Sequence, residues 1–148
     1  MANDERLRVR ITGPRQAVRL IPAECWQLMR GVSMGRVVFT MNALPAIRPV
    51  NHIVDGETII IRSHLGSALT GHASQDGAVV CYEADEIAPD RHPGWSVIAT
   101  GPARLVRDHD SVRRYRQALE PWAAGTMDQV IAIRPQTLTG VRLVGWCG

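Results

Sequence analysis

The stretch "RPVNHIVDGETIIIRSHLGSAL", Arg48 to Leu69, decides how this chain is read. Asp55-Gly56 is a hairpin signal set between two runs of β-branched residues. With Asp55-Gly56 as a two-residue turn, Val54 pairs with Glu57, Asn51 with Ile60 and Arg48 with Ser63. Side chains alternate along a strand. Arg48, Val50, His52, Ile59, Ile61 and Ser63 therefore share one face, and Pro49, Asn51, Ile53, Ile60 and Arg62 share the other. Both faces carry apolar residues, so both are expected to be covered, one as a barrel interior and one by a helix or a second subunit. Pro49 brings no N–H to a ladder, which places it at an edge or where pairing is broken. Beyond the second strand, Ser63, Gly66 and Ser67 offer hydroxyls and a helix start beside Arg62. Guanidinium and helix-terminal N–H groups suit a phosphate. A strand ending in solvent with Ser63 as a helix cap explains the same residues equally well.

Working outward, "IPAECWQLM" reads as a short helix with Pro22 at its first position and Gly31 and Gly35 ending it. "RVVFTM" is a strand, "NALP" a turn and "AIRPVNHIV" the next strand. A helix is expected from about Gly66 to Ala73. "GAVVCYEAD" is a strand, "EIAPDRHPG" a loop, and "WSVIATGPARLV" a long strand with a bulge or bend at Gly101-Pro102. "DHDSVRRYRQALEPW" is a helix capped by Asp108 or Asp110, with Val112, Tyr115 and Leu119 at helical spacing. "QVIAIRP" and "TLTGVRLVGW" close the chain as strands. Residues 1–20 read as an N-terminal arm, with Leu7, Val9 and Ile11 alternating as a short strand would. Six or seven strands joined mainly by hairpins favour an antiparallel barrel over a doubly wound sheet. A small barrel is filled by its own side chains, so a ligand belongs at an opening or between subunits.

The totals agree. The 148 residues suit one domain, with 45% apolar and 21% charged residues. No apolar run reaches the roughly 18 residues of a membrane span, and the charged start lacks the apolar core of a signal peptide. The expectation is a cytoplasmic protein without a membrane partner. Net charge is +3, and all 17 basic residues are arginine. They are spread along the chain, which argues against nucleic acid as a partner. Without lysine, any bound anion must be held by arginine, backbone N–H groups or hydroxyls, and Schiff-base chemistry on lysine is excluded. Cys25, Cys81 and Cys147 form no disulfide pattern.

These residues in this order resemble the pyridoxamine 5′-phosphate oxidase-related family of flavin-binding split barrels. The likeness runs from about Leu20 to Val106, and more loosely to the C-terminus. It is carried by "ECWQLMRGVSMGRVVF", "RPVNHIVDGETIIIRSHLGSAL", "GWSVIATGPARLV" and "IAIRPQTLTGVRL". The resemblance implies a mainly β chain with short helices, folded over 1–148 as one six-stranded antiparallel split β-barrel and paired as a homodimer. It implies flavin mononucleotide (FMN) at the subunit interface; some relatives hold a deazaflavin instead, and a few hold haem. By that likeness Arg48, Pro49, Val50 and Asn51 line the flavin ring. Arg62, Ser63, Ser67 and Ala68 surround the ribityl chain and phosphate, flanked by Ile61 and Leu69. Trp95 and Ser96 approach from the partner subunit. Where the family usually carries a lysine after "GS", this chain has Ala68, which removes one phosphate-binding cation. The implied activity is flavin-dependent oxidation or reduction of a small molecule, with a reduced nicotinamide as donor. A deazaflavin-dependent reductase is the close alternative, and a non-catalytic flavin- or haem-binding storage or sensor protein is the competing class.

Other constellations carry less. Five histidines (His52, His64, His72, His92 and His109) make no paired ligand motif, so no metal is expected. His52 either meets the cofactor edge or faces a core. No nucleophile signature appears, which leaves redox chemistry to a cofactor. Glu83 and Asp85 share a strand face and read as a strand end. The four tryptophans suit core or interface positions.

Overall fold

A computed structural model describes residues 15–63, 77–87, 94–119 and 129–145. The expected helix over 66–73, the histidines at 64, 72 and 92, and Ser67, Ala68 and Leu69 lie outside these. So do Trp122, Trp146, Cys147 and the Leu7–Ile11 alternation.

The chain runs β1 (Arg15–Arg19), α1 (Pro22–Arg30), β2 (Met34–Met41), β3 (Leu44–Asp55), β4 (Thr58–Ser63), β5 (Ala78–Glu86), β6 (Trp95–Leu105), α2 (His109–Ala118), β7 (Gln129–Ile133) and β8 (Thr137–Gly145). All pairings are antiparallel. The order β6-β5-β2-β3-β4-β7, with β7 returning to β6, closes a six-stranded barrel. β8 adds to the free stretch of β6, and β1 pairs with β8 at the outer edge. Part of the expected N-terminal arm is therefore strand, too short and polar to announce itself.

The split is made at Gly101-Pro102. β6 pairs with β5 over Trp95–Ala103. On its other side it pairs with β8 over Trp95–Thr100 and with β7 over Ala103–Leu105. Between them the β7–β8 connection crosses β6, with Arg134 N–H donating to Pro102 O at 3.3 Å and Gln136 N–H to Thr100 O at 2.8 Å.

Alternation sorts the residues as expected. Val37, Phe39, Val50, Ile59, Ile61, Val80, Tyr82, Val97, Ile131 and Ile133 fill the barrel, and Cys25, Trp26 and Met29 of α1 join the same core. The opposite face of the hairpin, Ile53 and Ile60, packs with Val130, Val112, Tyr115 and Leu119 under α2. Burying each such aliphatic side chain stabilises by about 1.5–3 kcal/mol. Asp108 is the cap of α2, accepting from Ser111 N–H at 2.9 Å. Tyr115 donates to the Asp55 carboxylate, tying α2 to the hairpin tip.

Two turns refine the sequence reading. The β3–β4 register is Asp55↔Thr58, Val54↔Ile59, Ile53↔Ile60 and His52↔Ile61. Gly56-Glu57 are thus the central residues, with Gly56 at φ +60°, the arrangement of a type II′ turn. The expected pairing partners shift by two residues, an even number, so the assignment of faces survives. At the β2–β3 turn, Asn42 and Ala43 both have positive φ (53° and 63°). Alanine is disfavoured there by its Cβ. Ala43→Gly is expected to raise stability by about 0.5–1 kcal/mol in urea unfolding; an unchanged or lowered midpoint would sink the strain assignment.

Among the described residues no helix is long and apolar enough to cross a membrane. Cys25 and Cys81 are free thiols.

Candidate functional site

The long strand β3 has two halves. Over Leu44–Asn51 it pairs with β2, and over His52–Asp55 with β4. Among the described residues no strand pairs with β3 on its β4 side from Leu44 to Val50. His52 N–H points to the β2 side, donating to Ser33 O at 2.8 Å. By the alternation of an antiparallel ladder, residues 45, 47 and 49 then turn their backbone groups toward the open edge. This explains the prolines: Pro45 and Pro49 fall where a missing N–H breaks no ladder bond. Arg48 is exposed, and its Nη1 donates back to Ile47 O at 2.7 Å. The edge thus presents carbonyls, one N–H and a guanidinium.

β4 continues past the last β3 pair through Arg62 and Ser63, both paired with β7. Arg62 lies on the α2 side of the sheet. Its Nη1 donates to Leu119 O at 2.9 Å, at the C-cap of α2. A cation there also meets the negative end of the helix dipole. Ser63 is buried, on the interior side with Ile61. Arg48, Pro49, Val50 and Asn51 precede the last β3–β4 pair, His52↔Ile61, and Arg62 and Ser63 follow it, so the two groups stand on the two prongs of one fork, with Arg48 and Arg62 on opposite faces by alternation. Val50 and Ile61 point into the core, and their backbones are paired, Val50 with Gly35 and Ile61 with His52 and Ile131.

Trp95 and Ser96 stand elsewhere. Trp95 is buried and opens on a cavity of about 310 Å³ with Glu24, Gln27, Glu86 and Arg142. Ser96, on the opposite face of β6, lines a groove of about 540 Å³ with Ile98, Thr139 and Val141. Neither cavity includes the β3–β4 fork, so within one chain these two residues do not join Arg48 and Arg62.

Two polar groupings escaped the sequence. His52 is buried, with Nε2 2.8 Å from Met29 O and Nδ1 bonded to Tyr82 Oη. A carbonyl only accepts, so Nε2 carries the proton and Nδ1 accepts from Tyr82. Burial holds the His52 pKa below its ordinary value, which keeps the ring neutral. Of the two expectations for His52, the core-facing one is observed. Gly35 does not end α1; it sits in β2, where a Cβ would fall 2.3 Å from Tyr82 Oη.

The second grouping is Arg36, Glu83 and Asp85 on the outer face, with Arg36 Nη1 at 3.0 Å from Glu83 and 3.2 Å from Asp85. Two carboxylates share one cation. Burial, then the hydrogen bond and charge of Asp85, push Glu83 up to about 7, against the pull of Arg36. The alternation of Glu83 and Asp85 was legible, but Arg36 opposite them was not. Because the folded pKa exceeds the unfolded 4.5, the folded state binds more protons in that window. Stability from this group is therefore present below about 4.5 and lost as pH rises toward about 7. In Glu83→Gln, the decline in melting temperature between pH 5 and 8 should be shallower than in wild type; parallel curves would refute it.

Comparison with known proteins follows the same lines. Residues 22–142 match the family model described as pyridoxamine 5′-phosphate oxidase. The uncharacterized protein Rv0080 of Mycobacterium tuberculosis is 46% identical over 133 residues, 88% of each chain. A Corynebacterium glutamicum structure assigned as a pyridoxamine 5′-phosphate oxidase superposes with TM-score 0.74 at 30% identity, over 87% of this chain and 99% of that one. The FAD binding protein of Mycobacterium smegmatis gives TM-score 0.66 at 31% identity, over 85% and 98%. With its barrel, its split at Gly101-Pro102 and its match over 22–142, the chain belongs to the pyridoxamine 5′-phosphate oxidase family.

Proposed function

We propose that this chain binds a flavin nucleotide at the β3–β4 fork and serves as a flavin-dependent oxidoreductase acting on a small molecule. The observation that carries the reading is the edge of β3 at Pro45–Pro49, which no described strand pairs on its β4 side and which carries Arg48. A flavin ring is planar and rimmed with acceptors and donors, which suits unpaired backbone groups and a guanidinium. Arg48 to Asn51 would meet the ring, and Arg62 with Ser63 and Ser67 the phosphate side. FMN is the nucleotide that the family resemblance implies, and FAD is favoured by the M. smegmatis relative. When bound, the flavin supplies hydride or electron transfer, with a reduced nicotinamide as donor. The chain's own share is to orient the ring and keep water from it.

The working unit in this reading is a cytoplasmic homodimer. The outer barrel face exposes Ile98 and Val141 on the neighbouring strands β6 and β8, and Val79 and Ile47 on β5 and β3, apolar residues that a second copy would cover. Such pairing brings Ser96 of one subunit toward the fork of the other.

Absorption spectra of the purified protein, then titration with FMN, FAD, riboflavin, a deazaflavin and haem, test this reading. Saturable flavin binding and a dimeric mass by sedimentation are expected. Haem alone, or no binding, would overturn it.

A further inference from the structure

We infer that Tyr82 and His52 are positioning residues for the open β3 edge, setting from inside the barrel the backbone that the ligand meets outside. The inference rests on the flavin reading above.

Among the described residues β3 is paired on one side only as far as Val50, and His52 begins its pairing with β4. Val50 pairs with Gly35 across the ladder. Because Gly35 has no Cβ, Tyr82 Oη passes beneath it and reaches within 3.4 Å of Val50 O. Tyr82 has one proton and two acceptors, Val50 O and His52 Nδ1. The rings meet edge to face with centroids 5.1 Å apart. His52 passes the constraint on to Met29 O in the last turn of α1. One buried network thus fixes β3, β5 and α1 at the residue adjoining Pro49 and Asn51. Among the described residues no buried side-chain polar atom lacks a partner. Among the described residues no second strand holds the edge, so its inner bonds set its geometry.

Tyr82→Phe removes the hydroxyl and keeps the ring. Riboflavin titration of wild type, Tyr82→Phe and Ile133→Val is the test, with melting temperatures measured alongside. Ile133 is a core residue distant in sequence from the edge, so its variant controls for stability loss. Tyr82→Phe should weaken riboflavin binding by about tenfold, and Ile133→Val by less than about twofold. In the wild-type protein, riboflavin saturation should also shift the His52 ring nitrogen resonances, although His52 is buried. Equal affinity in Tyr82→Phe, or unmoved His52 resonances at saturation, overturns the inference alone. Failure of wild type to bind riboflavin removes the flavin reading and the inference with it.

Discussion

Gly101→Ala is expected to cost about 3 kcal/mol of stability or to prevent folding. A Cβ at Gly101 would lie 2.1 Å from Arg134 O and 2.9 Å from both Arg134 C and Pro135 Cα. All three are backbone atoms, so no side chain can swing away. The crossing segment is also tied to β6 on both sides of Gly101, through Pro102 O and Thr100 O. Relieving the clash means lifting the β7–β8 connection, which breaks those bonds where β6 exchanges β8 for β7. Overpacking against rigid neighbours costs about 1–3 kcal/mol or more, a large share of the roughly 5–15 kcal/mol that holds a domain folded. Urea unfolding measures it. An unchanged midpoint would show that the strand exchange does not depend on close approach here.

Arg62→Ala separates two roles by choice of ligand. In the structure its guanidinium donates to Leu119 O and steadies the end of α2. In the proposed site its positive charge also meets the phosphate. Removing a charge-assisted contact should cost about 1–3 kcal/mol, about 5- to 150-fold in FMN affinity. Riboflavin has no phosphate, so its affinity should change little. If both ligands weaken equally, Arg62 acts through α2 and the fork. If neither changes, the phosphate lies elsewhere. Ala68 sharpens the expectation: without the lysine usual in the family, fewer cations share the load.

Much of this was legible because period-two alternation survives small errors. The turn was displaced from Asp55-Gly56 to Gly56-Glu57, yet the parity of the register was kept. Val50, His52, Ile59 and Ile61 still fell on the interior face, and Ile53 and Ile60 under a helix. Pro49 marked the open edge because a missing N–H is a backbone fact carried by the residue itself. Long-range partners were not legible. Nothing near Arg62 announces Leu119, 57 residues on. Gly35 read as a helix stop because its reason for being glycine, Tyr82 Oη, belongs to another strand. β1 was missed because its strand character comes from pairing with β8 rather than from its own sequence.

The most direct test of the central claim is amide hydrogen exchange of the full chain with and without saturating FMN. The account predicts saturable binding and slowed exchange at Ile47, whose N–H faces the open edge of β3. Binding that leaves Ile47 unchanged while protecting the cavity beside Trp95, or no binding of any flavin, would contradict it.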